Sequence, residues 1–254
     1  MKMTLEEYIK NPMGVSNAVF SQRSMYKDLY TNKFNNIMLR EAGSLVMHMY
    51  REGDTKFVLH IKIPSEVVPK FYYDVVLEFT TKNPLTILST NLNNYDIRFY
   101  SNDPAFVFTF AYSFSKNDLF ITDLASKMSR QALSDRAKEK NPKNIVGYVK
   151  SIYFAYIYIK AHGIDKKAVW SVEAKPYNVN TLLADIMQAD DKIALRQRLG
   201  LNVEKAKEAN KKAAKLKTRN IYSSHDRNNE KFVKMAKTVG KIKTARTVKY
   251  TKRK

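Results

Sequence analysis

Residues 44–80 read SLVMHMYREGDTKFVLHIKIPSEVVPKFYYDVVLEFT, and their spacing decides the fold class. Phe57, Leu59, Ile61 and Ile63 recur at period two, the repeat of a strand and not of a helix. Glu52-Gly53-Asp54 is a turn signal, so Ser44 to Tyr50 and Lys56 to Ile63 are expected to pair as a hairpin. A third strand is expected over Phe71 to Thr80, where Val75, Leu77 and Phe79 alternate with Asp74, Val76 and Glu78, and a fourth over Tyr95 to Tyr100. Together these predict a small antiparallel sheet in the N-terminal half. His48 and His60 could face one another across the hairpin; histidines so placed are far more often structural than a metal pair, and no role is assigned to them.

Beyond Ser101 the pattern changes to helices. Asp103 can cap a helix beginning at Pro104, with Phe106 to Phe114 as its apolar surface. Asp123 to Lys140 places Leu124, Met128, Ala132 and Leu133 on one face and basic residues on the other. Asn144 to Ala161 is apolar nearly all round, which predicts a buried helix, separated from its predecessor by Asn141-Pro142. Val169 to Val172 could add a short strand, and Asn180 to Leu199 reads as one or two helices on Leu182, Leu183, Ile186, Ile193 and Leu195. The fold class is α+β, with no internal repeat. The aromatic clusters Phe99-Tyr100, Phe106-Val107-Phe108, Phe110, Tyr153-Phe154, Tyr156 and Tyr158 lie in the most apolar stretches, so core packing is expected there ahead of base stacking, with a subunit interface as a further use for some tyrosines.

Charge divides the 254-residue chain in two. Residues 201–254 hold 18 Lys and Arg against 4 acids, a net +14 of the total +21, whereas residues 1–200 hold 27 against 20. A boundary near Gly200, where a helix is expected to end, separates an α+β body (1–200) from a polybasic C-terminal arm (201–254). In the arm, Val203, Ala206, Ala213 and Leu216 form a thin stripe of an extended or helical segment that buries little. Its cations Lys205, Lys207, Lys211, Lys212, Lys215, Lys217, Arg219, Lys231, Lys234, Lys237, Lys241, Lys243, Arg246, Lys249, Lys252, Arg253 and Lys254 are the candidate nucleic-acid-binding residues. Each one that neutralises a phosphate releases condensed counterions, which predicts salt-sensitive, sequence-independent binding. DNA is the expected partner, although phosphate contacts do not separate it from RNA, and an acidic protein neighbour fits the same charge.

Several classes of chemistry lack their residues. With no cysteine there is no disulfide, thiolate metal site or cysteine nucleophile. No phosphate-cradling Gly-rich loop, dinucleotide fingerprint or His-Glu-x-x-His occurs, so no cofactor or metal is expected and the chain reads as a non-enzyme. The N-terminus, MKMTLEEYIK, has acids where a signal peptide is apolar, and the longest apolar run, Ile152 to Ile159, falls well short of the ~18 residues of a spanning helix, so neither secretion nor a membrane is expected. One constellation remains: Asp165 followed by Val172-Glu173-Ala174-Lys175 resembles the Asp and Glu-x-Lys core of restriction-type nucleases, which implies a magnesium-dependent nuclease using Asp165, Glu173 and Lys175. In a lysine-rich chain such triplets arise easily, and an exposed strand-edge ion pair is the expected role.

The segments Phe99-Tyr100-Ser101-Asn102-Asp103-Pro104-Ala105-Phe106 and Ser151-Ile152-Tyr153-Phe154-Ala155-Tyr156, with the Asn, Lys and Tyr bias of the whole, resemble structural proteins of tailed bacteriophages. The resemblance covers about half of the body and does not reach the arm. It implies an oligomeric virion component, made in the host cytoplasm, whose body packs on other virion subunits while the arm touches packaged genome. A nucleic-acid-binding module outside a virion, such as a nucleoid or ribonucleoprotein subunit, fits the same residues.

Overall fold

The computed structural model describes residues 2–10, 30–40, 45–53, 55–81, 92–165 and 174–212. The chain divides after Gly200 into two units. The first is built on a five-stranded mixed sheet of order β4-β3-β2-β1-β5, with β1 Val46–Glu52, β2 Lys56–Pro64, β3 Tyr72–Thr81, β4 Tyr95–Ser101 and β5 Lys175–Pro176. β1 to β4 are antiparallel neighbours and follow the period-two runs of the sequence to within two residues. β1 and β2 meet at the Glu52–Lys56 pair, and Gly53 adopts φ +52°, the left-handed backbone that a tight turn asks of glycine. β5 pairs parallel to β1, which makes the sheet mixed. It lies just after the expected strand at Val169 to Val172, which falls outside the described residues.

Both faces of the sheet are covered. One face carries Leu59, Ile61, Val75, Leu77 and Phe99, all fully buried. Against it lie α1 (Leu5–Lys10), whose Tyr8 ring sits 4.6 Å from that of Phe99, and α5 (Lys150–Ala161), whose Ser151 Oγ is 3.2 Å from Ser101 Oγ. Thr4 and Glu7 close a reciprocal capping box at the start of α1, with Thr4 N–H donating to Glu7 Oε2 at 2.7 Å and Glu7 N–H to Thr4 Oγ1 at 3.2 Å. The outer edge of β4 is sheltered too, because Ile97 N–H donates to Met3 O and Phe99 N–H to Leu119 O. The other face carries the polar members of the alternation, and Asp74 and Glu78 are buried there at 3% exposure each.

The helical half departs from the periodic pattern where side chains bond to nearby backbone. The helix expected from Pro104 does begin there, with Asp103 Oδ1 accepting from Ala105 N–H, but it passes through a π-helical turn, Phe106–Phe110, before continuing as α3, Ala111–Lys116. The single helix expected over Asp123 to Lys140 is instead a 3-10 helix, Thr122–Lys127, and a five-residue α4, Arg130–Ser134. Ser129 Oγ caps α4 through Ala132 N–H, and beyond Leu133 no apolar side chain remains to hold a helix on the core. The helix expected from Asn144 begins only at Lys150, because Asn141 occupies the Ile145 backbone from both sides, Oδ1 accepting from its N–H at 2.9 Å and Nδ2 donating to its carbonyl at 2.8 Å. α6 (Val179–Asp185) and a helix over residues 189–200, called α7, are separated by an extended Ile186, resolving Asn180 to Leu199 into two helices. Residues 30–40 form the second helix in chain order, α2, which buries Phe34 and Ile37.

Gly147 makes the extended approach to α5 possible. A Cβ there would stand 2.6 Å from Phe110 Cε1, and the Gly147 carbonyl accepts from the buried Tyr8 hydroxyl at 2.9 Å. Gly147→Ala is therefore expected to destabilise the body by about 1–3 kcal/mol in urea unfolding, the usual cost of overpacking. The matched control is Gly200→Ala, since its Cβ would meet nothing within 4 Å; the helical residue there is expected to gain up to about 1 kcal/mol.

Candidate nucleic-acid interface

The described part of the second unit is residues 201–212, which are helical. Residues 189–200 of the first unit and 201–212 of the second are all helical, so the helix end expected at Gly200 is corrected. The cost of one helical glycine, about 1 kcal/mol, is outweighed by the Ala, Lys, Glu and Leu that follow, all strong helix formers. Val203 is half-buried, every residue from Glu204 to Lys212 is exposed, and no residue beyond Gly200 joins the described core. Lys205, Lys207, Lys211 and Lys212 thus stand in solvent on a scaffold whose alternate faces are all accessible. The remaining candidate cations, Lys215, Lys217, Arg219, Lys231, Lys234, Lys237, Lys241, Lys243, Arg246, Lys249, Lys252, Arg253 and Lys254, lie outside the described residues.

Several lysines of the body are held differently. On the polar face of the sheet, Lys56 Nζ lies 3.1 Å from Glu78 Oε2 and 3.2 Å from Asp123 Oδ2, and 4.1 Å from the centre of the Tyr177 ring. Burial pulls the Lys56 ammonium down, but Glu78 and Asp123 outweigh it and hold the group above its ordinary value. Lys160 is shared between Glu6 and Asp165, the latter at 2.5 Å. Lys150 and Lys33 both bind Glu66, each at 3.0 Å. Cations neutralised in this way add little to the attraction of a distant phosphate.

The nuclease candidates separate along these lines. Asp165 is 4% exposed and its Oδ2 is committed to Lys160; Lys175 is exposed on β5, opposite Tyr50; Glu173 lies outside the described residues. Among the described residues no group of three or more His, Asp or Glu side chains is arranged to hold a metal ion.

A buried polar network on the same sheet face escaped the sequence reading. His60 Nε2 donates to Asp74 Oδ1 at 2.9 Å, Asn102 Nδ2 donates to Asp74 Oδ2 at 2.7 Å, and Asp74 N–H returns a bond to Asn102 Oδ1 at 2.8 Å. Lys192 of α7 adds its ammonium 3.8 Å from Asp74 Oδ2 and 4.9 Å from the Phe71 ring centre. His48 is the cross-strand partner of His60, their rings 5.8 Å apart, and His60 Nδ1 is buried with no hydrogen-bond partner among the described residues. Burial pushes the Asp74 carboxyl up, yet the contacts with His60, Lys192 and Asn102 together prevail and hold it below its ordinary value. The register could have suggested part of this, since Asp74 lies opposite Lys62, two residues from His60. Nothing in the spacing placed Asn102 or Lys192 there.

The segments that carry the phage resemblance meet in the core through Ser101 and Ser151. No protein-family model matches the chain, nor does any curated protein or solved structure. Among the described residues no helix is long and apolar enough to cross a membrane.

Proposed function

We propose that the chain is a non-enzymatic structural protein, a component of a bacteriophage virion, whose C-terminal arm holds nucleic acid by its phosphates while the body packs on other subunits. The observation that carries the nucleic-acid half is the segregation of charge: a net +14 lies in the last 54 residues, whose described beginning is an exposed helix with four solvated lysines. In the body, by contrast, Lys56, Lys150 and Lys160 are tied to carboxylates of their own unit. The virion half rests on the resemblance of residues 99–106 and 151–156 to phage structural proteins. Counterion release supplies the binding free energy, so the arm grips a backbone of any sequence.

The test is to mix the full-length chain with a labelled DNA duplex at low salt with magnesium present, following both mobility and integrity of the DNA. A retarded, uncut duplex is the expected outcome. Cleavage that disappears in Glu173→Ala would replace this reading with a nuclease, and an unretarded duplex would point to an acidic protein as the partner of the arm.

A further inference from the structure

We propose that the body carries a second nucleic-acid contact, selective for unpaired bases, in the cleft beside the π-helical turn Phe106–Phe110. Phe106 and Val107 of that turn are buried, as core packing predicts, but Phe108 is 50% exposed. It opens onto a shallow, largely solvent-open cleft of about 750 Å3 lined also by Arg136, Lys138 and Lys140, with Asp135 and Glu139 as the acids among the described residues that line it. Lys140 Nζ lies 5.8 Å from the centre of the Phe108 ring. Four residues along, on α3, Lys116 Nζ lies 5.6 Å from the centre of the half-buried Tyr112 ring. Two aromatic rings about one turn apart, each with the ammonium of a flexible lysine over it, offer what an extended single strand needs once those side chains swing from ring to phosphate, a ring face for a base and a cation for its backbone.

The wall is fixed before any ligand arrives. Asn141, 6% exposed, donates to Thr109 O at 3.2 Å and grips Ile145 through both its backbone groups, which pins the segment after Lys140 beside the turn. π-helical turns are uncommon and concentrate at functional sites. The cation excess favours a negatively charged partner, and the exposed ring favours a nucleic acid strand with its bases open, since a duplex keeps its base faces stacked. This deepens the nucleic-acid reading of the chain and rests on it, but the two contacts are separable by strand type and by salt.

The test uses full-length protein and its Phe108→Ala and Phe108→Tyr variants, titrated with a labelled thymidylate oligomer and with a labelled duplex of equal length. At salt high enough to screen the arm, Phe108→Ala is expected to weaken single-strand binding on the order of tenfold, with Phe108→Tyr near wild type. Duplex binding at low salt is expected to be the same in all three proteins. Phe108 is half exposed, so circular dichroism should report an unchanged fold. Single-strand affinity untouched by Phe108→Ala, an equal loss on single strand and duplex, or no single-strand binding by the wild type would each overturn the cleft. Failure of the arm reading would show separately, as an absence of duplex binding at low salt.

Discussion

Ending the chain at Gly200 is expected to lower its affinity for duplex DNA at low salt by about a hundredfold or more. The body keeps 27 cations against 20 anions, and the innermost of these are paired within the unit, whereas the arm holds 18 against 4. Sequence-independent affinity scales with the number of phosphates neutralised, because each contact frees condensed counterions. Removing the arm takes away 14 of the net +21 charge, and with it the densest run of positions able to make such a contact. The fold of the body is expected to survive, since the buried hydrophobic core ends at Ile193 and only the half-buried Leu195 and Leu199 pack beyond it. A filter-binding or anisotropy titration of the two proteins, with circular dichroism of each, checks both expectations. If the shortened chain bound duplex as tightly as the full one, the charge of the arm would serve something else.

Asp74→Ala is expected to be among the most destabilising single substitutions in the body, at about 3–5 kcal/mol in urea unfolding. The carboxylate is 3% exposed and receives His60 Nε2, Asn102 Nδ2 and the field of Lys192. Truncation leaves a ring N–H, an amide and an ammonium facing a void from which water is largely excluded. Asp190→Ala, at an exposed position two residues before Lys192 on α7, is expected to cost less than about 0.5 kcal/mol. The network also sets an acid dependence. The Asp74 carboxyl titrates lower folded than unfolded, so its stabilisation is complete above the ordinary aspartate range and is lost as pH falls through the depressed folded value. Wild-type stability should therefore fall below about pH 4, and the fall should be shallower in Asp74→Ala.

What could be read from the sequence, and what could not, follows from how local each signal is. Period-two alternation in Phe57 to Ile63 and Val75 to Phe79 is imposed by the pleat itself, so β2 and β3 were legible to within a residue or two. The His48–His60 pairing followed from the turn at Gly53. Helix limits were less legible: Asn141 competes for the Ile145 backbone and delays α5, and such a side-chain bond leaves no mark on hydrophobic periodicity. Phe108 was read as core with its neighbours because composition alone cannot say which residue of an aromatic run a π-helical turn directs outward. The Asp74 network joins β2, β3, the end of β4 and α7, four places that only tertiary packing brings together. The charge of the arm was legible throughout, because charge density is a property of composition.

The most direct measurement for the central claim is the salt dependence of duplex binding by the full-length chain. If the arm grips the phosphate backbone, log K should fall linearly with log salt with a slope on the order of −5 or steeper, as expected when about six or more phosphates are neutralised. An affinity that stays flat as salt rises, or no binding at low salt, would contradict it.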